Sequence, residues 1–95
     1  TQARLTRSHL VNIYAALANF DRANLTRADL SWANLSKTIL TGANLTGTNL
    51  RGANLTGADL TGADLTGANL TGANLRHTIL SDTNLAAALI TGASY

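Results

Sequence analysis

The sequence predicts an all-β solenoid, a tube whose backbone turns a corner after every fifth residue. Leucine occupies every fifth position from Leu25 to Leu85. Ala or Thr stands two positions before each of these leucines, and all 8 glycines stand two positions after the central residue of a repeat. These three regularities share one register and therefore define a repeating unit of five residues.

The five-residue period fits neither an α-helix nor a flat strand. On a helix of about 3.6 residues per turn it would spread the leucines around the whole cylinder, and on a strand it would alternate them between the two faces. If the chain instead bends after each repeat, every leucine can point into one core with the small residue beside it. The glycines then stand where a type II β-turn requires a positive φ.

The repeat 43–47 reads Ala-Asn-Leu-Thr-Gly and resembles the pentapeptide-repeat family, whose pattern is A-[DN]-L-[ST]-G. The resemblance covers residues 18–95 and implies a right-handed quadrilateral, or square, parallel β-helix with four repeats in each coil of twenty residues. The segment 37–41 recurs as 77–81, two such coils later, which supports four sides rather than three. We expect about four coils that each contact only their neighbours.

The first seventeen residues depart from the repeat. Their apolar side chains follow the i, i+3, i+4, i+7 spacing of an amphipathic helix, at Leu10, Ile13, Tyr14 and Leu17. We predict a capping α-helix over residues 1–17, since a helix can cover the open edge of a solenoid. The alternative is a degenerate first coil with inward side chains at Leu5, Leu10, Ala15 and Phe20.

Large side chains replace glycine at the corners of the first full coil. These corner residues are Arg22, Arg27, Trp32 and Lys37. Three cations and an aromatic ring suit an anionic or aromatic partner, so one hypothesis is a partner-binding rim. The interpretation that we favour is that Trp32 and the arginine stems pack against the capping helix.

Ile39 and Ile79 replace the outward Asn or Asp of their repeats and are expected on one side of the tube. They predict a second partner contact, although isolated exposed apolar residues are also ordinary on protein surfaces. The outward Asn34, Asn54 and Asn74 are expected to be solvated or to form hydrogen-bonded ladders that steady the coils.

The last repeats lose their polar residues over 86–90. An apolar solenoid end needs a cover, which a twofold mate, a removed segment or a following domain would supply. We favour homodimerisation through this C-terminal end, with contacts from Leu89, Ile90 and Tyr95.

Catalytic and metal-binding chemistry is not indicated. The chain has 0 Cys and 2 His, and its 5 acidic residues are all aspartates scattered over outward positions. We therefore predict no enzymatic activity, no metal site and no cofactor. No apolar run approaches the roughly 20 residues of a membrane helix and no leader precedes the repeats, which predicts a soluble protein, with the cytoplasm favoured.

The function predicted from these features is a noncatalytic structural or protein-interaction module with an unknown protein partner. The family resemblance implies an alternative, because some members mimic duplex DNA, bind DNA gyrase and protect it from quinolones. The net charge of +2 disfavours that role. A third hypothesis is anion or nucleic-acid binding through the basic N-terminal rim, which the low aromatic content and modest charge disfavour.

Overall fold

The computed structural model describes residues 4–95, and all of them belong to one stack of coils. Each outward residue forms a parallel β-bridge with the residue twenty positions later, as in Asn24 with Asn44 and Asn34 with Asn54. Four repeats therefore complete one coil. Residues 4–95 contain no helix and no strand longer than a single bridged residue, so the sheet on each side is a ladder of isolated bridges.

The twenty-residue period defines coils and walls that are used below. Coils 1 to 5 comprise residues 4–17, 18–37, 38–57, 58–77 and 78–95. Each wall is one side of the tube, named by its repeat in coil 2: wall D is 18–22, wall A is 23–27, wall B is 28–32 and wall C is 33–37. Wall A lies opposite wall C. The last residue of each repeat stands at the corner that leads to the next wall.

The predicted capping helix is wrong for residues 4–17, whereas residues 1–3 lie outside the described chain. Outward residues of coil 1 bridge to coil 2, as Tyr14 does to Asn34. The backbone N–H of Leu10 donates to the carbonyl of Asp29 at 2.7 Å, so its partner is in the next coil and not in a helical turn. The division at residue 17 therefore does not separate two structural units.

The alternative of a degenerate first coil is confirmed by the inward residues. Four side chains at central positions are partly buried and pack against the core: Leu5, Leu10, Ala15 and Phe20. Ile13 joins them from the position two residues before Ala15. The spacing that suggested a helix arises because the inward positions of successive repeats are three residues apart, as Leu10 and Ile13 are.

Hydrogen bonds satisfy every backbone N–H group of an inner repeat. In the repeat 43–47, the N–H groups of Asn44, Leu45 and Gly47 donate to carbonyls of the neighbouring coils at 2.9, 2.7 and 2.9 Å. The N–H of Ala43 closes the preceding turn at 3.1 Å. The N–H of Thr46 donates to the side-chain Oδ1 of Asn44 at 3.1 Å. Since an unpaired buried amide is costly, this arrangement lets a narrow tube bury most of its backbone.

The core is a column of alternating large and small side chains. The central leucines from Leu25 to Leu75 and the alanines two positions before them are buried. Thr48 takes an alanine position and is fully buried, with its hydroxyl donating to the carbonyl of Leu25 at 2.8 Å. Threonine is thus accommodated in the core because a carbonyl of the preceding coil accepts a hydrogen bond from its hydroxyl.

Replacing Leu55 tests the inward assignment of the central position. Leu55 is 0% exposed, so Leu55→Ala removes buried methyl groups and leaves a cavity. We expect a loss of about 2 to 5 kcal/mol in the free energy of unfolding. The neighbouring Asn54 points outward and accepts bonds from the N–H and hydroxyl of Thr56. Asn54→Ala should cost only about 1 kcal/mol. Equal losses in chemical denaturation would contradict the assignment.

Candidate functional site

The four predicted rim residues stand at four different corners of coil 2. Arg22 follows wall D, Arg27 follows wall A, Trp32 follows wall B and Lys37 follows wall C. All four side chains are exposed and diverge around the tube. The structure therefore does not bring them together into one rim. As contacts for a partner they stay predictions.

Each of these side chains leans over the corner glycine of coil 3. The six-membered ring of Trp32 lies against Gly52, where an added Cβ would come within 2.2 Å of Trp32 Cε3. The Cγ of Arg27 is 3.3 Å from the equivalent point at Gly47. The sequence predicted that Trp32 and the arginine stems pack against a capping helix. In the structure they pack against the corner glycines of the next coil instead.

The corners of coils 1 and 2 form a continuous series of non-glycine residues in the left-handed conformation. Their φ values lie between 57° and 67°. The seven residues are Arg7, Asn12, Leu17, Arg22, Arg27, Trp32 and Lys37. An L-residue in this region costs about 1 kcal/mol, whereas glycine does not. The next seven corners, Gly42 to Gly72, are all glycine, so the cost of large corner side chains is concentrated in coils 1 and 2.

The structure groups four arginines on wall A of coils 1 and 2. We call them the arginine face: Arg4, Arg7, Arg22 and Arg27. Arg4 lies in the middle of the wall and bridges to Asn24, and Arg7 and Arg27 follow each other at one corner. Arg22 stands at the other corner of the same wall. Sequence analysis missed this group because residues 1–17 were assigned to a helix, although the twenty-residue spacing of Arg7 and Arg27 was available as a signal.

Exposed apolar side chains lie on the opposite side of the tube. Tyr14 on wall C is 79% exposed, and Leu17 and Trp32 at the corners of that wall are 73% and 58% exposed. The aromatic side chains of coils 1 and 2 that reach the surface are therefore separated from the arginine face by the width of the tube.

Ile39 and Ile79 lie on wall D with Asp59 between them. Ile39 bridges to Asp59, and Asp59 bridges to Ile79. Both isoleucines are exposed, as predicted. Because a carboxylate separates them, they do not form a continuous apolar patch, and their contact with a partner stays a prediction.

Outward Asn and Asp side chains bond to their own turns. The Oδ1 of Asn34 accepts from the N–H of Ser36 at 3.1 Å and from its hydroxyl at 2.7 Å. The equivalent bonds recur at Asn54 and Asp64. At Asn34 and Asn54 the expected ladders between coils are thus replaced by local Asx turns, which use the same oxygen to fix the corner that follows. Asn74 also accepts from the hydroxyl of Ser94 in the next coil at 3.5 Å.

Two of the aspartates have a lowered pKa. The hydroxyl and N–H of Thr66 hold the pKa of Asp64 below its ordinary value. At Asp21 the hydroxyl of Thr41 in the next coil is the main cause of the lowered pKa, and the charge of Arg22 acts in the same direction. Hydrogen bonds to an ionised carboxylate favour that form. These groups therefore stay negatively charged at neutral pH.

The predicted dimer end lies in coil 5. Leu89, Ile90 and Tyr95 are exposed, and Ile90 and Tyr95 occupy central positions that are buried in coils 2 to 4. Association through these three residues stays a prediction.

Within residues 4–95, no group of three His, Cys, Asp or Glu side chains is arranged to hold a metal ion. The described chain also lacks a helix with the length and apolar character of a membrane span.

A family model described as pentapeptide repeats matches residues 1–42, 28–67 and 68–94. Among curated proteins no sequence matches the chain. The chain is similar to a pentapeptide repeat protein from the thylakoid lumen of Arabidopsis thaliana, with 32% identity and a TM-score of 0.75 over 96% of this chain and 60% of that one. It is also similar to one from the cyanobacterium Cyanothece 51142, with 37% identity and a TM-score of 0.65 over 97% and 63% of the two chains.

A third similar structure is QnrB1, a plasmid-mediated fluoroquinolone resistance protein. The two sequences are 20% identical and the structures align with a TM-score of 0.52, over 95% of this chain and 56% of QnrB1. At this low sequence identity, the similarity shows a shared fold and nothing more. The chain spans less than two thirds of the length of each of these three structures.

The contact between Trp32 and Gly52 can be tested with two glycines of one corner. Gly52→Ala and Gly72→Ala both place a methyl group at a φ near 70°, but only the first methyl meets the indole ring, because nothing lies within 4 Å of the second. We expect Gly52→Ala to lower the free energy of unfolding by about 1 to 3 kcal/mol more than Gly72→Ala.

A double-mutant cycle supplies the control. Combined with Trp32→Ala, the extra cost of Gly52→Ala should disappear, whereas the cost of Gly72→Ala should stay the same. An extra cost that persists without the indole would show that the ring does not lie on Gly52.

Proposed function

Because the chain belongs to the pentapeptide-repeat family, we propose that it is a noncatalytic protein-interaction module that contacts its partner through the corner side chains of coils 1 and 2. The core and the backbone hydrogen bonds need only the inward and turn positions of each repeat. The outward corners are free to vary, and their large side chains distinguish coils 1 and 2 from the seven glycine corners that follow, Gly42 to Gly72.

The observation that carries the proposal is the series of seven left-handed non-glycine corners from Arg7 to Lys37. Glycine at each of these positions would remove about 1 kcal/mol of strain. The side chains retained at this cost include Leu17 and Trp32, whose exposed apolar surface is mostly not used in packing. Backbone strain that the fold does not require is concentrated at functional surfaces in many proteins.

The outward carboxylates support a noncatalytic role. A general acid needs a proton to give near neutral pH, whereas the lowered pKa values of Asp21 and Asp64 keep both groups ionised. The Oδ1 oxygen of each carboxylate already accepts a hydrogen bond, from the hydroxyl of Thr41 at Asp21 and from that of Thr66 at Asp64. These aspartates are suited to holding the turns and the coils in place.

The family resemblance implies an alternative function, in which the protein mimics DNA and binds gyrase. A duplex carries one negative charge per roughly 1.7 Å of its axis. This chain has 5 acidic and 7 basic residues, and within residues 4–95 no outward column carries an acidic residue in two successive coils. The charge distribution is therefore opposite to that of a DNA mimic.

Anion or nucleic-acid binding through the predicted rim is the other alternative. Its four residues, Arg22, Arg27, Trp32 and Lys37, point away from one another. A single anion cannot contact four opposed corners, so a protein partner that covers more than one wall is favoured over a small anion.

Glycine substitution at all seven corners separates interaction from stability. The variant carries Gly at Arg7, Asn12, Leu17, Arg22, Arg27, Trp32 and Lys37. We expect its thermal unfolding temperature to be equal to or above that of the wild type, because left-handed strain is relieved. In quantitative capture from extracts of cells that express the protein, the variant should lose the partner that the wild type retains.

The matched control replaces the corners of the other end, His77→Gly/Asp82→Gly/Ala87→Gly, which also have φ near 57°. For each substituted residue, this triple variant should gain about as much stability as the seven-glycine variant does. It should still retain the partner. Capture that survives the seven substitutions, or that fails for the wild type, would refute the proposed function.

A supercoiling assay tests the gyrase alternative. With the protein added up to micromolar concentration, we expect no inhibition of DNA gyrase and no protection from a fluoroquinolone, since its positive net charge repels a basic DNA-binding surface. Inhibition or protection would mean that the shape of the tube outweighs its charge, and DNA mimicry would then replace the proposal above.

A further inference from the structure

We propose that the arginine face on wall A binds a short acidic segment of a partner protein. The proposal rests on the interaction role argued above and specifies the chemistry of the partner. It depends on four residues, Arg4, Arg7, Arg22 and Arg27, that the fold places on one wall although up to 23 positions separate them in the chain.

The twenty-residue register sets the geometry of the arginine face. The N–H of Arg7 donates to the carbonyl of Thr26 at 2.9 Å, which places its corner directly over the corner of Arg27. Arg4 bridges to Asn24 in the middle of the same wall. Since adjacent coils are about 4.8 Å apart, the four side chains leave the tube within two neighbouring layers.

The charge of this surface is local. All four arginines are exposed, and the wall continues in coils 3 and 4 with Asn44 and Asp64 at the position of Arg4. Asp21 and Asp29 stand on the adjoining walls D and B. Asp21 accepts the hydroxyl of Thr41 and lies beside Arg22, whereas Asp29 accepts from Ser31. The arginine face is thus a positive area bounded by negative or neutral neighbours.

Carboxylates match this arrangement. A guanidinium group presents paired N–H donors that bind a carboxylate with two parallel hydrogen bonds. In an extended peptide, side chains on one face recur about every 7 Å, so two or three Asp or Glu residues can reach guanidinium groups at both corners and in the middle of the wall. Along the tube axis the middle of wall A is neutral at Asn24 and Asn44, so such a segment would run across the wall from one corner to the other.

Nucleic acid fits the same surface less well. Single strands bind through cations interleaved with aromatic rings, but here Tyr14 and Trp32 lie on the far side of the tube. A duplex would extend its phosphates beyond the four arginines toward Asp21, Asp29 and Asp64. Like charges at those points would oppose a continuous polyanion.

Fluorescence anisotropy with a labelled peptide of eight glutamates tests the proposal directly. The full chain is titrated at 50 and 200 mM salt, and a labelled single-stranded and a double-stranded oligonucleotide of equal charge are measured alongside. We expect the peptide to bind more tightly than either oligonucleotide, with an affinity that falls as salt rises. Arg7→Gln/Arg22→Gln/Arg27→Gln should weaken peptide binding by about tenfold.

The control Arg51→Gln/Arg76→Gln removes two positive charges from coils 3 and 4, outside the corners of coils 1 and 2, and should change the affinity by no more than about twofold. Equal losses of affinity per removed charge in the arginine triple variant and the control, tighter binding of an oligonucleotide, or no binding of the peptide at low salt would each overturn the proposal. In the capture experiment, a partner that the seven-glycine variant loses but the arginine triple variant retains would overturn the acidic-segment proposal alone and leave the interaction function intact.

Discussion

The backbone hydrogen bonds between successive coils are the interaction on which the rest of this structure depends. Each inner repeat joins the coils on both sides through three N–H groups, as Asn44, Leu45 and Gly47 do. Because these bonds tie each residue to one about twenty positions away, a shift by one residue would turn every leucine out of the core. Burial of the leucines and pairing of the backbone therefore enforce the same register, and each stabilises the other.

The register also determines what the outer surface can carry. The fully buried inward positions carry leucine, alanine or a threonine whose hydroxyl donates to a carbonyl, as in Thr48. Outward Asn and Asp oxygens are used to fix the corners. The corner residue itself faces solvent and is limited by its positive φ and, as at Gly52, by the side chain at the same corner of the preceding coil. Where that neighbour leaves room, side chains larger than glycine are tolerated at a modest cost in strain. Variation at the corners is how a uniform tube can acquire distinct surfaces.

The tube could be predicted from the sequence because central leucines recur without a gap from Leu25 to Leu85 and corner glycines from Gly42 to Gly72. Coil 1 could not, since it lacks glycine and places Ile13 where the later coils have alanine or threonine. Leu10 and Ile13 satisfy a helical spacing as well as the repeat, and only the hydrogen bonds to coil 2 decide between them. The error then hid the arginine face, because Arg4 and Arg7 meet Arg22 and Arg27 only if coil 1 belongs to the tube.

The exposed residues named from the sequence were found where the repeat puts them, but their grouping was not predictable from one repeat at a time. Trp32 and Lys37 are close in the chain and stand at different corners, whereas Arg7 and Arg27 are distant in the chain and stand at the same one. Proximity in a solenoid follows the coil period and not the distance along the chain. Surface sites in such proteins have to be searched for column by column.

The register of coil 1 is best tested by pyrene fluorescence, for which the absence of cysteine in this chain is convenient. Pyrene would be attached to the thiols of Tyr14→Cys/Asn34→Cys, two positions that form a parallel bridge, and to those of Tyr14→Cys/Asn24→Cys, which lie on opposite walls. Stacked pyrenes emit as an excimer. Strong excimer emission from the first pair and none from the second is the result expected for a tube that includes coil 1. Monomer emission from the first pair, together with helical circular dichroism, would contradict it.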